Sequence, residues 1–120
     1  MKPKIELTDI EITVAVNVDD TAVRGNATSS GNPAYDKEIE DKIIDRVNCG
    51  DIWAWSTVTV VARGYGLVGM DHLGCCSYQD EADFKRGGYY QDMVSTAADE
   101  LARKITKRLE AVSKLIILGE

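Results

Sequence analysis

Seven apolar side chains, Met93, Ala97, Leu101, Ile105, Leu109, Val112 and Ile116, recur at spacings of four and three through the last quarter of the chain. That period places them on one stripe of an α-helix running from Tyr89 to about Leu118. A helix of about 27 residues spans about 40 Å at 1.5 Å per residue. In a chain of 120 residues, such a rod is longer than the body it can lie against. Its last turns, Lys114-Leu115-Ile116-Ile117-Leu118, are apolar nearly all round. They require either a partner or the far edge of a sheet, so the helix constrains both the fold and the mode of association.

The rest of the chain offers the sheet. Ile10, Ile12, Val14, Val16 and Val18 alternate with Glu11, Thr13, Ala15 and Asn17, the period of a half-buried strand. Asp19-Asp20 reads as a turn, and Thr21 to Ala27 as a weaker returning strand. Asn32 before Pro33 is an N-cap followed by proline at the first helical position. Ile39, Ile43, Ile44 and Val47 then share one helical face, and Gly50 stops the helix. Ile52 to Arg63 is rich in Trp, Val and Thr and reads as a strand, turning at Gly64-Tyr65-Gly66 into a partner strand from Leu67 to Cys76. Ser77 and Asp80 resemble a capping box that opens a short helical turn through Phe84. The expectation is one α+β domain over residues 1–120 in the order ββαββα, with about four antiparallel strands covered by the long helix.

Composition excludes several classes. With 14 Lys and Arg against 20 Asp and Glu, the net charge is −6, which disfavours nonspecific binding to nucleic acid or anionic membrane. No apolar run approaches the ~20 residues of a membrane span, and Met1 to Glu11 has no signal-peptide core. Three cysteines do not make a paired disulfide framework, which points to a reducing compartment. The acidic run Asp36, Glu38, Glu40, Asp41 and Asp45 is a solvated helix face or a mimic of a phosphate array.

Chemistry-bearing residues are sparse. His72-x-x-Cys75 has a zinc-like spacing, but neighbouring Cys75 and Cys76 on a strand face opposite ways, and Cys49 lies far off in sequence. Asp71, adjacent to His72, points to the opposite face and cannot orient the imidazole. No nucleophile–base–orienter set assembles, and no phosphate or dinucleotide loop is present. The expectation is therefore a non-enzymatic protein without metal or cofactor; a small hydrolase using His72 and a cysteine is an alternative.

Candidate binding residues fall in three groups. Trp53 and Trp55, two apart on a strand, would share a sheet face, either as an exposed aromatic patch for a partner or as core. Arg24, Asn26 and Ser30, with free backbone N–H groups around them, make an anion or nucleotide pocket or simply a self-bonded turn. Tyr78, Tyr89 and Tyr90, with Phe84 and Arg86, either clip the short helical turn to the core or rim a cleft.

Four blocks together resemble a group of small, mostly hypothetical proteins encoded by phages, prophages and other mobile elements. They are Gly25-Asn26-Ala27 with Ser30-Gly31; Gly50-Asp51-x-Trp53-Ala54-Trp55; Leu73-Gly74-x-Cys76-Ser77-Tyr78 with Asp80 and Phe84; and Gly88-Tyr89-Tyr90-x-Asp92-Met93. The likeness spans about residues 24 to 101 and departs at His72, where an aromatic such as tyrosine is expected, and at Cys75, where glycine is usual. It transfers no catalytic residue. It implies a bacterial cytoplasm during infection or lysogeny, and an anti-defence inhibitor that binds a host defence protein. The alternative is a sponge for a nucleotide second messenger. A homodimer is expected, through the apolar end of the long helix or the Trp53/Trp55 face.

Overall fold

The computed structural model describes residues 10–118, so the expectation of no leader at the N-terminus falls largely outside the described residues. The elements are β1 (Glu11–Val18), α1 (Pro33–Asn48), a 3-10 turn (Ile52–Ala54), β2 (Ser56–Gly64), β3 (Leu67–Cys76), α2 (Glu81–Arg86) and α3 (Gly88–Leu118). The architecture is α+β, with a three-stranded antiparallel sheet in the order β1-β2-β3.

The expected fourth strand, Thr21 to Ala27, is absent, and the order is βαββαα rather than ββαββα. β1 pairs instead with β2, from Glu11 opposite Arg63 to Val18 opposite Ser56. The run Ser-Thr-Val-Thr-Val-Val-Ala of β2 matches the alternation of β1 far better than the polar segment that follows β1. That segment closes on itself: the Asn26 and Ala27 N–H groups both donate to the Val23 carbonyl, at 3.1 Å. Gly25, at φ +80°, adopts a left-handed conformation that breaks any strand there.

β2 and β3 form the hairpin expected from Gly64-Tyr65-Gly66. Tyr65 and Gly66 sit at φ 55° and 75°, the positive pair of a two-residue turn whose twist suits flanking strands. Near its far end β3 shifts register opposite Ser56–Val58, and Cys75 adopts φ 54°. A left-handed residue in a bulge is a position that favours glycine, and here Cys75 occupies it.

Alternation sorts the sheet into an apolar and a polar face. Val58, Val60 and Ala62 point inward and join Met93, Ala97, Leu101 and Ile105 of α3 in the core. α3 lies over β2 and β3, and Gly69 of β3 is what brings it close. A Cβ on Gly69 would fall 2.2 Å from the Ala97 carbonyl oxygen and 2.5 Å from the Leu101 nitrogen. The other face carries Thr13, Thr57, Arg63 and His72, with Thr59 and Val61 buried at its centre on the middle strand.

α1 starts as its sequence indicates, with the Asn32 side chain accepting from the Ala34 and Tyr35 N–H groups at 3.1 and 3.3 Å. α2 is capped by Asp80, which accepts from the Asp83 N–H at 2.8 Å, so Ser77 is not the cap. α3 is 31 residues long, about 46 Å at the helical rise, whereas the longest strand has 10 residues and spans about 33 Å. Its last core residue is Ile105, and every side chain described from Thr106 to Ile116 is exposed. The molecule accordingly measures 72 × 25 × 23 Å. No helix among the described residues is long and apolar enough to cross a membrane.

Candidate functional site

The tryptophans are not a matched pair on a strand. Asp51 caps a 3-10 turn, its carboxylate accepting from the Trp53 N–H at 3.1 Å, and the strand begins only at Ser56. This local cap outcompetes the β-propensity of Ile52-Trp53-Ala54-Trp55. Trp55 is 3% exposed and donates its indole N–H to the Thr21 carbonyl at 2.7 Å, pinning the loop after β1. Trp53 is half-buried, its ring 6.0 Å from that of Phe84. Of the two readings open for Trp53 and Trp55, an exposed patch or core, the structure favours core: Trp55 is buried and Trp53 is half-buried against the core cluster.

Phe84, fully buried, anchors α2 beneath an aromatic cluster. Tyr78 and Tyr90 meet its ring edge-on at 5.3 and 5.7 Å, the T-shaped geometry in which a positive ring edge meets a negative face. Burial pushes the Tyr78 hydroxyl above its ordinary pKa. Tyr78 and Tyr90 thus act as clips. Tyr89 faces the other way, 60% exposed, at the rim of an open hollow of about 310 Å³ bordered by residues Leu73 to Tyr78.

The loop holding Arg24, Asn26 and Ser30 is tied to α1. Arg24 forks onto Glu40 at 3.3 Å and onto Asp41, and the Gly25 N–H donates to Glu40 at 2.7 Å. Ser30 donates its hydroxyl to Asp36 at 2.6 Å and its backbone N–H to the same oxygen. The Asn26 amide bonds back to the Ala22 carbonyl. Of the two readings open for this loop, an anion pocket or a self-bonded turn, the second is nearer: the Arg24, Gly25 and Ser30 donors are turned onto carboxylates of this chain. Those carboxylates answer in kind. The Ser30 hydroxyl holds Asp36, and Lys37 with Arg24 holds Asp41, below the usual carboxylate range.

His72 and the cysteines do not converge on one chemistry. His72 is exposed, with Nδ1 2.9 Å from the Thr59 hydroxyl. Cys76 is buried, donates its thiol to the Leu73 carbonyl, and is pushed up to about 11 by burial. The exposed Cys75 belongs to a different device, one missed by sequence reasoning. Asp19 at the end of β1 accepts from the Cys75 N–H at 2.9 Å, from the Thr57 hydroxyl at 2.8 Å and from the Thr21 N–H at 2.8 Å. One carboxylate thereby ties all three strands together at one end of the sheet. These donors, the Cys75 N–H foremost, hold Asp19 far below the ordinary carboxylate pKa.

Among the described residues, the protruding half of α3 carries a run of exposed apolar side chains. Leu109, Val112, Leu115 and Ile116 are 39, 43, 69 and 63% exposed. Ile105, Leu109, Val112 and Ile116 follow a 4-3-4 spacing, a continuous seam that begins in the core and runs out past the sheet. Around it, residues 103–114 carry five Lys and Arg against one Glu, whereas residues 10–102 carry seven against sixteen acids. The exit from the body is basic on an otherwise acidic chain. No family model matches this chain, and neither a curated protein nor a solved structure matches it.

Proposed function

We propose that this protein works by contact, as a non-enzymatic binding module that presents the protruding half of α3 to a protein partner. The observation that carries this reading is the exposed seam of Leu109, Val112 and Ile116, continuous with the buried Leu101 and Ile105. An amphipathic helix that lays anchors at i, i+3 and i+7 into an apolar groove is a recurrent mode of protein recognition. Three such side chains in a contiguous strip, with the exposed Leu115 beside them, exceed the scattered exposure normal for a monomer surface. The cations flanking the seam favour a groove with an acidic rim. In the setting implied by the phage-type sequence blocks, the partner is a host defence protein in the bacterial cytoplasm, and docking inhibits it.

The test is a paired capture from bacterial lysate with wild type and a Leu109→Asp/Leu115→Asp/Ile116→Asp variant, with mass spectrometry of proteins and small molecules retained. These positions lie outside the core, so the variant should melt with the wild type while losing the captured protein. Equal capture by both would refute the reading.

A second reading rests on Tyr89. An exposed ring beside an open hollow is a stacking platform for a base, as a sponge for a nucleotide second messenger requires. It expects a raised melting temperature with a nucleotide panel and loss of that rise in Tyr89→Ala. A flat screen would dismiss it.

A further inference from the structure

We infer that the free edge of β1 is a self-association surface, where a second copy of this chain adds its own β1 antiparallel to make one continuous six-stranded sheet. The inference is independent of the α3 seam and would stand if that seam had no partner.

Hydrogen-bond parity defines the edge. The Asp19 N–H donates to the Trp55 carbonyl at 3.2 Å, in register with the β1–β2 ladder. Residues alternate along an antiparallel strand in the side to which their backbone groups point. The odd residues of β1 are therefore committed to β2, and Ile12, Val14, Val16 and Val18 turn their N–H and C=O groups outward. No hydrogen bond from another segment reaches these groups among the described residues. The strand is regular along its pairing with β2 and carries no proline, lysine or bulge. Those are the devices by which sheet proteins protect an exposed edge. β3, the other edge, has such devices: the bulge at Cys75, and Lys104, whose ammonium donates to the Val68 carbonyl at 2.7 Å.

Face and strand span select the register. Two copies paired about Val14 set Val14 opposite Val14, Ile12 opposite Val16 and Glu11 opposite Asn17. The residues with free backbone groups then bond one another, and all apolar side chains stay on the inner face. Moving the two-fold by one residue, to Ala15, also preserves the faces, but it sets Glu11 and Ile10 against Asp19 and Asp20, which lie beyond the end of β1, so the paired stretch no longer spans Ile10 to Val18. The sequence is thus self-complementary about Val14. The pairing also covers Val18, which is 57% exposed in the single chain, by placing Ile10 of the second copy across from it.

The test is the mass in solution of wild type, Val14→Pro and Leu115→Asp/Ile116→Asp, by sedimentation at about 100 µM, a concentration suited to transient interfaces of modest area. Proline at Val14 removes an N–H that faces away from β2, the placement an edge strand tolerates. The expected result is a wild-type dimer, a monomeric Val14→Pro with an unchanged far-ultraviolet spectrum, and an α3 variant that stays dimeric. A second measurement does not depend on Val14→Pro folding. In a Cys49→Ser/Cys75→Ser background, Val14→Cys should cross-link to itself on mild oxidation, because directly opposed residues lie about 5.5 Å apart, within disulfide reach. Thr13→Cys, displaced from the two-fold, should not. A monomeric wild type, a dimer lost only in the α3 variant, or equal cross-linking at the two positions would overturn the proposal.

Discussion

Replacing Gly69 with alanine should be among the most damaging single-methyl changes in this chain. The added Cβ would sit 2.2 Å from the Ala97 carbonyl oxygen, 2.5 Å from the Leu101 nitrogen and 3.1 Å from the Leu101 Cα. Ordinary non-bonded contact needs about 3.5 Å, and the atoms in the way are backbone atoms, which cannot rotate aside. α3 must therefore lift from β3 by about 1 Å, a gap that forfeits a quarter to a half of each dispersion contact across it. The contacts at risk are those of Ala97 and Leu101, both fully buried, and of Met93 and Ile105 on either side. Overpacking of this kind costs about 1–3 kcal/mol, and the rigid neighbours place Gly69→Ala at the upper end. Restricting the unfolded chain returns about 0.5–1 kcal/mol. The net loss is about 2 kcal/mol, or a fall in melting temperature of about 10 °C for a domain of this size. Thermal and urea unfolding followed by circular dichroism would measure it. A variant melting within about 2 °C of wild type would show that α3 does not rest on β3 at this point and would refute the packing argument.

Asp19→Asn should lower stability at pH 7 by about 1 kcal/mol, since the three bonds to the charged carboxylate are partly open to solvent. The folded pKa lies below the unfolded value, so the carboxylate's contribution is complete above the ordinary carboxylate range and is lost as pH falls through the folded value. The gap between wild type and Asp19→Asn, measured by urea unfolding, should therefore narrow from pH 5 toward pH 2; a constant gap would contradict the assignment. Phe84→Ala should cost about 3–5 kcal/mol by emptying the centre of the Trp53, Tyr78 and Tyr90 cluster, and should quench or shift tryptophan emission as Trp53 loses its neighbour. A loss under about 1 kcal/mol would place Phe84 outside the core.

Much of the fold was legible where the signal is local. The alternation of Ile12, Val14 and Val16, the Asn32-Pro33 start of α1, the turn at Tyr65-Gly66 and the stripe of α3 depend on residues within a few positions of one another. The surplus length of α3 was legible too, because rise per residue is a constant and the chain offers no strand as long. The candidate sites were less so. Trp53 and Trp55 look like strand residues until Asp51 caps a 3-10 turn beneath them, and that competition between a cap and a strand is decided by small energies. Thr21 to Ala27 fails as a strand because a better partner for β1 arrives 38 residues after β1 ends.

What only the tertiary structure decided is which distant groups meet. Asp19 reaches Cys75 across 56 positions, Arg24 finds Glu40 and Asp41, and the Gly69 backbone touches that of Ala97 and Leu101. The same holds for β1: its sequence makes it a strand with one apolar face, but its pairing is made with β2, which begins 38 positions after β1 ends. Periodicity specifies which face of an element is apolar; it carries no information on which neighbour will cover that face. That choice is made by the summed burial of the whole chain, in which α3 settles on β2 and β3 where Gly69 lets its backbone come close.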